Sequence, residues 1–182
     1  MKNSIYILVS LLFFSVSAFA SDLTPEVRAV QDKQAYKPHL GVKLGIADPE
    51  GSADAAAEVS ATIGFQPVIP FSVGLESSFV KFNDDPSGLE RTSLMVYGNY
   101  NFGGDIPIIK HSYVGVSAGP AWENEKNDEG LALVWVHTIG FDQPLTSLTR
   151  EPLTIGASAS YLISTRSTPD SLNLAGVIKY WY

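Results

Sequence analysis

The three histidines are the residues of this chain best suited to general acid–base or metal chemistry. They are His39, His111 and His137, and the sequence contains no cysteine. Transition-metal sites and activated nucleophiles need such groups brought together in one place. Here His39 and His111 open two predicted strands and His137 lies inside a third, so nothing in their spacing clusters them. The sequence therefore predicts no cofactor, no metal site and no catalytic residue, and it does not indicate an enzyme.

Four charged residues form a second group of chemical interest. Lys43, Glu58, Glu76 and Lys179 interrupt alternating apolar stretches, and each falls on the face opposite the apolar side chains. If that face lines a narrow interior, two acids and two bases must pair, because an unpaired buried charge is costly. Lys43 and Glu76, near mid-height, are the expected pair. Two interpretations stay open: a structural ion-pair network, or a gate that opens a small pore when a pair exchanges partners.

Acidic residues dominate the polar segments between the stretches. These segments, with the adjacent base Arg91, carry eleven acids against three bases, a net charge of −8. They lie at 48–54, 83–90, 123–129 and 165–170. Such a field repels nucleic acid and attracts divalent cations. The third segment is rich in oxygen ligands but lacks EF-hand spacing, so a solvated acidic loop and a weak Ca²⁺ or Mg²⁺ site both stay open.

The N-terminal residues differ from everything that follows. A basic start, an apolar run and an Ala-x-Ala site are typical of a secretory signal peptide at residues 1–20. In residues 21–37, Thr24 followed by Pro25 favours a helix start. We expect an N-terminal extension there, as a short helix or an irregular lead-in; a plug and a membrane-surface clamp are the alternatives. Residues 38–182 suffice for one domain.

The rest of the chain shows eight stretches in which every second side chain is apolar. Such alternation is the pattern of a β-strand whose two faces meet different surroundings. The stretches are 39–47, 55–66, 71–82, 91–102, 112–123, 130–141, 153–164 and 171–182. The acidic connections alternate with connections richer in proline and apolar residues, as an up-and-down antiparallel topology requires.

The faces opposite the apolar ones are small, polar and poor in charge. Residues such as Ser60, Thr62 and Gly64 are typical of them. A soluble barrel would turn a charged face to water and an apolar face inward. These faces suit a narrow lumen instead, which leaves the apolar faces to meet lipid. The predicted fold class is all-β, an eight-stranded antiparallel up-and-down transmembrane β-barrel, with a soluble barrel or sandwich as the alternative.

A glycine recurs near one end of four alternate strands and points inward by parity. The four are Gly41, Gly74, Gly115 and Gly156. A glycine inside a strand often marks a close approach of another group. We expect these four to make space for bulky inward neighbours, with Asn101, Tyr113, Lys179 and Trp181 as the candidates.

The closing strand carries a resemblance to a known family. Ser171–Tyr182 alternates apolar residues, contains Gly176 and ends on an aromatic residue. In these features it resembles the closing strand of the small OmpA/OmpX-type outer-membrane β-barrels. Together with the seven preceding stretches, the chain resembles that family over residues 38–182. The resemblance implies that Tyr180 and Tyr182 belong to a signal for the barrel-assembly machinery. It also implies the outer membrane of a Gram-negative bacterium, with both termini periplasmic and with outer-membrane lipid and lipopolysaccharide as neighbours of a monomer.

The same resemblance bounds the function. Members of that family act as structural anchors, surface-interaction proteins, narrow pores or, occasionally, lipid-modifying enzymes. We expect a structural or surface-interaction role through the short acidic loops, with a narrow ion or solute pore as the alternative. The lipid-modifying enzyme comes third, because His137-Thr138-Ile139 is the nearest approach to the His-x-Ser pair that the deacylase type requires.

Overall fold

The computed structural model describes residues 37–51, 54–68, 70–82, 89–103, 106–125, 128–145, 153–166 and 169–182. The predicted signal peptide at 1–20 and nearly all of the predicted extension at 21–37 lie outside these residues. No helix in the described ranges is long and apolar enough to cross a membrane.

Eight antiparallel strands close into a single barrel, in which each strand pairs with its sequence neighbours and β1 pairs with β8. One helical turn, α1 (Pro107–Lys110), lies between β4 and β5. The strands are β1 (Lys37–Pro49), β2 (Ala56–Val68), β3 (Phe71–Lys81), β4 (Glu90–Asn101), β5 (Ser112–Glu125), β6 (Asp128–Pro144), β7 (Leu153–Ser164) and β8 (Ser171–Trp181). The predicted fold class and number of strands are confirmed.

The closure between β1 and β8 runs along almost the whole of both strands. His39 pairs with Trp181 at one end of the ladder and Pro49 with Ser171 at the other. The amide of Tyr182 donates to the carbonyl of Pro38, with 3.0 Å between nitrogen and oxygen. An exposed strand edge invites pairing with other chains. Closure pairs the backbone hydrogen-bonding groups of β1 with those of β8, so no such edge is left between them.

The barrel has two ends, which differ in their connections. We call the end where β1 begins and β8 finishes the terminal end; it also carries the β2–β3, β4–β5 and β6–β7 connections. The opposite end, with the β1–β2, β3–β4, β5–β6 and β7–β8 connections, is the loop end. The acidic segments predicted from the sequence all belong to the loop end, while α1 lies at the terminal end.

The outer surface of the barrel is apolar around its circumference. Alternate residues of a strand point to opposite faces of the sheet, and the apolar set predicted from the sequence faces outward. Leu44 and Val96 are each 63 % exposed and Ile139 is 60 % exposed. A soluble monomer rarely exposes so continuous an apolar surface, so the outside of this barrel is built to contact lipid.

The interior is not uniformly polar, which corrects the sequence-based prediction for the loop-end half. Inward apolar residues form two clusters there, among polar inward residues such as Ser93 and Ser171. The first cluster contains Met95, Ala121, Ala132, Val134, Val136 and Leu162. The second contains Ala47, Ala56, Val80, Phe82 and Leu89. This half of the lumen is packed like the core of a soluble protein.

Candidate functional site: the filled lumen

Aromatic and histidine side chains fill the lumen at the terminal end. His39 on β1 is only 2 % exposed, and its Nε2 lies 2.6 Å from the hydroxyl of Tyr97 on β4. The ring of Trp181 on β8 packs against the imidazole, with 4.5 Å between centroids. The indole N–H of Trp181 donates to Thr154 across 3.4 Å. His39 is thus a buried packing residue.

A lysine–aspartate pair lies next to this aromatic group. Lys179 Nζ donates to Asp142 Oδ2 across 2.5 Å and sits 4.7 Å from the centre of the Tyr113 ring. Lys179 faces inward as predicted, but its partner is an acid that the sequence analysis did not select. Asp142 lies just past the predicted end of its strand at residue 141, whereas β6 continues to Pro144. Tyr113 adds a cation–π contact to the ion pair.

Glycines provide the space in which these large side chains lie. A Cβ added to Gly74 would lie 2.6 Å from Gly64 Cα and 2.7 Å from the Tyr97 hydroxyl, and one on Gly140 would lie 2.6 Å from the Tyr113 ring. The four predicted glycines do make room for neighbours, which are Thr62 and Lys179 at Gly41, Tyr97 at Gly74, Asn99 at Gly115 and Asp142 at Gly156.

Of the four side chains proposed to fill that space, only Lys179 lies against one of the four glycines. Tyr113 packs against Gly140 instead. Asn101 is turned toward β3, where its amide donates to the carbonyl of Pro70 across 2.8 Å. Trp181 packs on His39. The prediction was wrong for these three because parity gives the face of a residue but not its height in the barrel.

Lys43 and Glu76 meet near the middle of the lumen, as expected. Lys43 Nζ donates to Glu76 Oε2 across 2.6 Å, and both side chains are largely withdrawn from water. Glu58 faces the same region from β2, yet no side chain in the described ranges forms an ion pair or hydrogen bond with it. The four predicted lumen charges therefore form one pair among themselves, a second pair through Asp142, and one unpaired carboxylate.

A third ion pair is buried at the loop end, and this corrects the assignment of Arg91 and Glu123 to the rim. Arg91 Nε donates to Glu123 Oε1 across 2.9 Å, and each side chain is 1 % exposed. Arg91 also donates to the carbonyl of Pro169 across 3.1 Å, and Ser164 donates to Glu123 across 3.2 Å. Both charges point inward between the apolar clusters. Arg91 and Glu123 carry opposite charges. The net charge of the acidic segments is therefore the same without them.

Little free volume remains between these layers. Two small cavities of about 20 Å³ and about 10 Å³ lie around the Lys43–Glu76 pair. A cavity of roughly 10–15 Å³ is just large enough to hold one water molecule. The described lumen therefore resembles a packed core, in which the Lys43–Glu76, Arg91–Glu123 and Lys179–Asp142 pairs connect different strands.

The other histidines do not join this interior. His137 faces outward on β6, between Val116 of β5 and Tyr161 of β7, and His111 follows α1 at the terminal end. Among the described residues, no group of three or more His, Cys, Asp or Glu could hold a metal ion.

Comparison with solved structures agrees with this architecture. A crystal structure of Neisserial surface protein A aligns with a TM-score of 0.58 at 12 % identity, covering 80 % of this chain and 96 % of that one. The outer membrane protein OprG from Pseudomonas aeruginosa aligns with a TM-score of 0.52 at 9 % identity, covering 82 % and 97 %. The chain has the fold of the small eight-stranded outer-membrane β-barrels. No protein-family model and no curated protein sequence matches it.

Proposed function

We propose that this protein is an integral β-barrel of the Gram-negative outer membrane, with a filled lumen and a structural or surface-interaction role. The single observation that carries the proposal is the inverted distribution of side chains. The outer surface is apolar, whereas the inside holds the ion pairs and hydrogen-bonded side chains. Water outside would oppose this arrangement, and lipid outside favours it.

Aromatic residues support a membrane position for the barrel. Phe71 and Phe141 are exposed on the outer surface near the terminal end, and Trp122 is 52 % exposed near the loop end. Tyr180 and Tyr182 pack edge to face, with 5.0 Å between ring centres, at the end of β8. Aromatic residues at both edges of an apolar band are usual where a barrel crosses the two interfaces of a membrane.

The interaction role rests on the loop end. Several acids there are exposed, including Asp48, Glu50, Asp54 and Glu129. Glu50 also accepts a hydrogen bond from the Tyr161 hydroxyl across 2.6 Å. We propose that this end faces the outside of the cell among lipopolysaccharide molecules, where it binds divalent cations weakly, and that both termini are periplasmic. Tyr180 and Tyr182 would then serve the assembly machinery as part of the C-terminal strand.

A narrow pore is the second candidate, and the three lumen ion pairs favour it. Asp142–Lys179, Lys43–Glu76 and Arg91–Glu123 follow one another from the terminal end to the loop end. Exchange of partners along such a series could open a path for ions. The apolar clusters at the loop end and the small cavity volumes favour the filled state. An enzyme is third, because His137-Thr138-Ile139 has isoleucine where the His-x-Ser pair has serine.

Tryptophan fluorescence tests the membrane arrangement. Two of the three tryptophans, Trp122 and Trp135, face outward, whereas Trp181 is packed inside against His39. We expect lipids with brominated acyl chains to quench the refolded protein strongly. The double variant Trp122→Phe/Trp135→Phe should retain only a weakly quenched signal. Equal fractional quenching of the wild type and the double variant would contradict the proposed arrangement of faces.

A further inference from the structure

A small polar chamber lies near mid-height in the lumen. Its volume is about 10 Å³, close to that of one water-sized particle. The walls are rich in oxygen atoms, which come from two carboxylates, an amide and three hydroxyl groups. The residues that supply them are Glu58, Glu76, Asn173, Ser60, Ser158 and Ser160.

The charges around the chamber do not balance. Lys43 also lines it, and its ammonium group is 2.6 Å from Glu76, so these two neutralise each other. Glu58 has no ion-pair partner among the described residues. One carboxylate thus stays uncompensated inside a barrel whose outer surface is apolar, and an isolated charge in low-dielectric surroundings is costly. A proton on Glu58 or a cation in the chamber would remove that cost.

The amide of Asn173 is an independent indication of a missing group. The residue is 5 % exposed, and its Oδ1 has no hydrogen-bond partner within the described part of the chain. A buried acceptor left without a donor or a cation loses free energy. Asn173 lies on β8, while Glu58 lies on β2, two strands away around the barrel. Two strands thus bring a carboxylate without an ion-pair partner and a buried amide oxygen without a donor to the lining of one chamber.

We propose that the chamber binds one monovalent alkali cation, held by the carboxylate of Glu58 and by Oδ1 of Asn173, with serine hydroxyl groups completing its ligands. Carboxylate, carbonyl and hydroxyl oxygens are hard ligands that suit such ions. The charge favours a monovalent ion, because a single carboxylate is uncompensated and Lys43 stands close by. Of the two acids that line the chamber, Glu76 is already paired with Lys43.

The ion enters as the barrel closes. On the loop-end side of Glu58 lies the second apolar cluster, which includes Val80, Phe82 and Leu89. On the terminal side lie the Lys43–Glu76 pair and the Tyr97 and Tyr113 rings. An ion taken up during folding is therefore retained when the outside solution is changed. Retention is the property to measure.

The experiment uses the purified protein, refolded in detergent with radioactive sodium or rubidium chloride and then transferred to choline chloride. We expect close to one retained tracer ion per wild-type barrel, and almost none in Glu58→Gln or Asn173→Leu. Glu90→Gln removes an exposed acid on the outside of the barrel and serves as the control, with retention equal to the wild type. A shift in gel mobility on heating verifies that each variant is a closed barrel.

Three results would overturn the proposal. The first is a wild-type barrel that keeps neither tracer at neutral and at alkaline pH, which would mean that a proton on Glu58 or a water molecule occupies the chamber. The second is equal retention in the wild type and in every folded variant, and the third is an equal loss in Glu90→Gln. None of them bears on the membrane position of the barrel, which the tryptophan experiment tests separately.

Discussion

Two neighbouring residues of β4 show how position relative to the barrel wall changes the energetics of a charge. Arg91 points inward and forms its pair with Glu123, with both side chains 1 % exposed. Glu90 points outward and pairs with Lys81 on β3. Both side chains of this pair remain partly exposed on the outer surface of the barrel. A buried pair is strongly destabilised when one partner is removed, whereas an exposed pair contributes little.

The substitution Glu123→Gln is therefore expected to be severe. It preserves the shape of the side chain but leaves the Arg91 guanidinium as an uncompensated buried charge, so we expect the free energy of unfolding to fall by about 3–5 kcal/mol. Urea titration of the protein in lipid vesicles measures it. Glu90→Gln is the matched control, with an expected change of about 0–1 kcal/mol. Similar losses in both variants would contradict the burial of the Arg91–Glu123 pair.

For single residues, the sequence predicts which face of a strand the side chain occupies better than it predicts which residue that side chain contacts. Lys43, Glu76 and Lys179 face inward because parity along a strand is a local property. The partner of Lys179 depends on how far β6 continues and how it registers with β7 and β8, which involves residues distant in sequence. Asp142 was missed for that reason. Arg91 and Glu123 were assigned to the rim because they stand at the ends of the predicted stretches 91–102 and 112–123, next to the acidic segments.

Pairs of strands form the sockets that hold the large inward side chains. Gly64 and Gly74 face each other across β2 and β3, and the Tyr97 side chain approaches both. An extra side chain at either position would meet backbone atoms of the neighbouring strand, which cannot rotate away. The glycines thus let β2 and β3 accept a ring from β4 without widening the barrel.

Gly74→Leu tests this socket. The added side chain would clash with the Ile63 carbonyl and with Tyr97, so we expect a loss of about 1–3 kcal/mol in the free energy of unfolding. Gly115→Phe should behave similarly, because a Cβ there would meet Asn99. Gly98→Leu is the control: it faces outward on β4, and a Cβ there has nothing within 4 Å. Urea titration of all three variants measures this loss. An equal fall in the free energy of unfolding for Gly98→Leu and Gly74→Leu would contradict the close packing at Gly74.

The eight strands were predictable because each of them alternates over at least nine residues. The composition of the inward face was less predictable. Met95, Val134 and Leu162 occupy inward positions although they are apolar, and a sequence pattern cannot tell an apolar residue in a dry lumen from one in a bilayer. Only closure of the barrel, which brings β4, β6 and β7 around one interior, shows that these residues pack together.

Both apolar clusters of the interior lie in the loop-end half of the barrel, together with the buried Arg91–Glu123 pair. The apolar clusters lie beneath the acidic connections, and the aromatic and charged layers lie near the chain termini. We expect the loop end to face the outside of the cell. This orientation places the acids among lipopolysaccharide phosphates and their bridging cations, and leaves the C-terminal strand toward the periplasm.

Single cysteines test this orientation cleanly, since the natural chain has none. Glu129→Cys lies exposed at the loop end, and Ile106→Cys is 59 % exposed at the terminal end. In intact cells, a membrane-impermeant maleimide should label Glu129→Cys and should label Ile106→Cys only after lysis. The reverse labelling pattern would contradict this orientation and would mean that the acidic connections face the periplasm.

The filled lumen is the central claim, and ion conductance of the refolded protein in a planar bilayer tests it most directly. A gel shift on heating must first show that the barrel is closed. We predict a silent bilayer for the wild type, because apolar clusters and three ion pairs occupy the interior. Stable channel steps that change in Glu76→Gln would contradict this prediction, and they would identify the protein as a small pore whose lumen charges control the passage of ions.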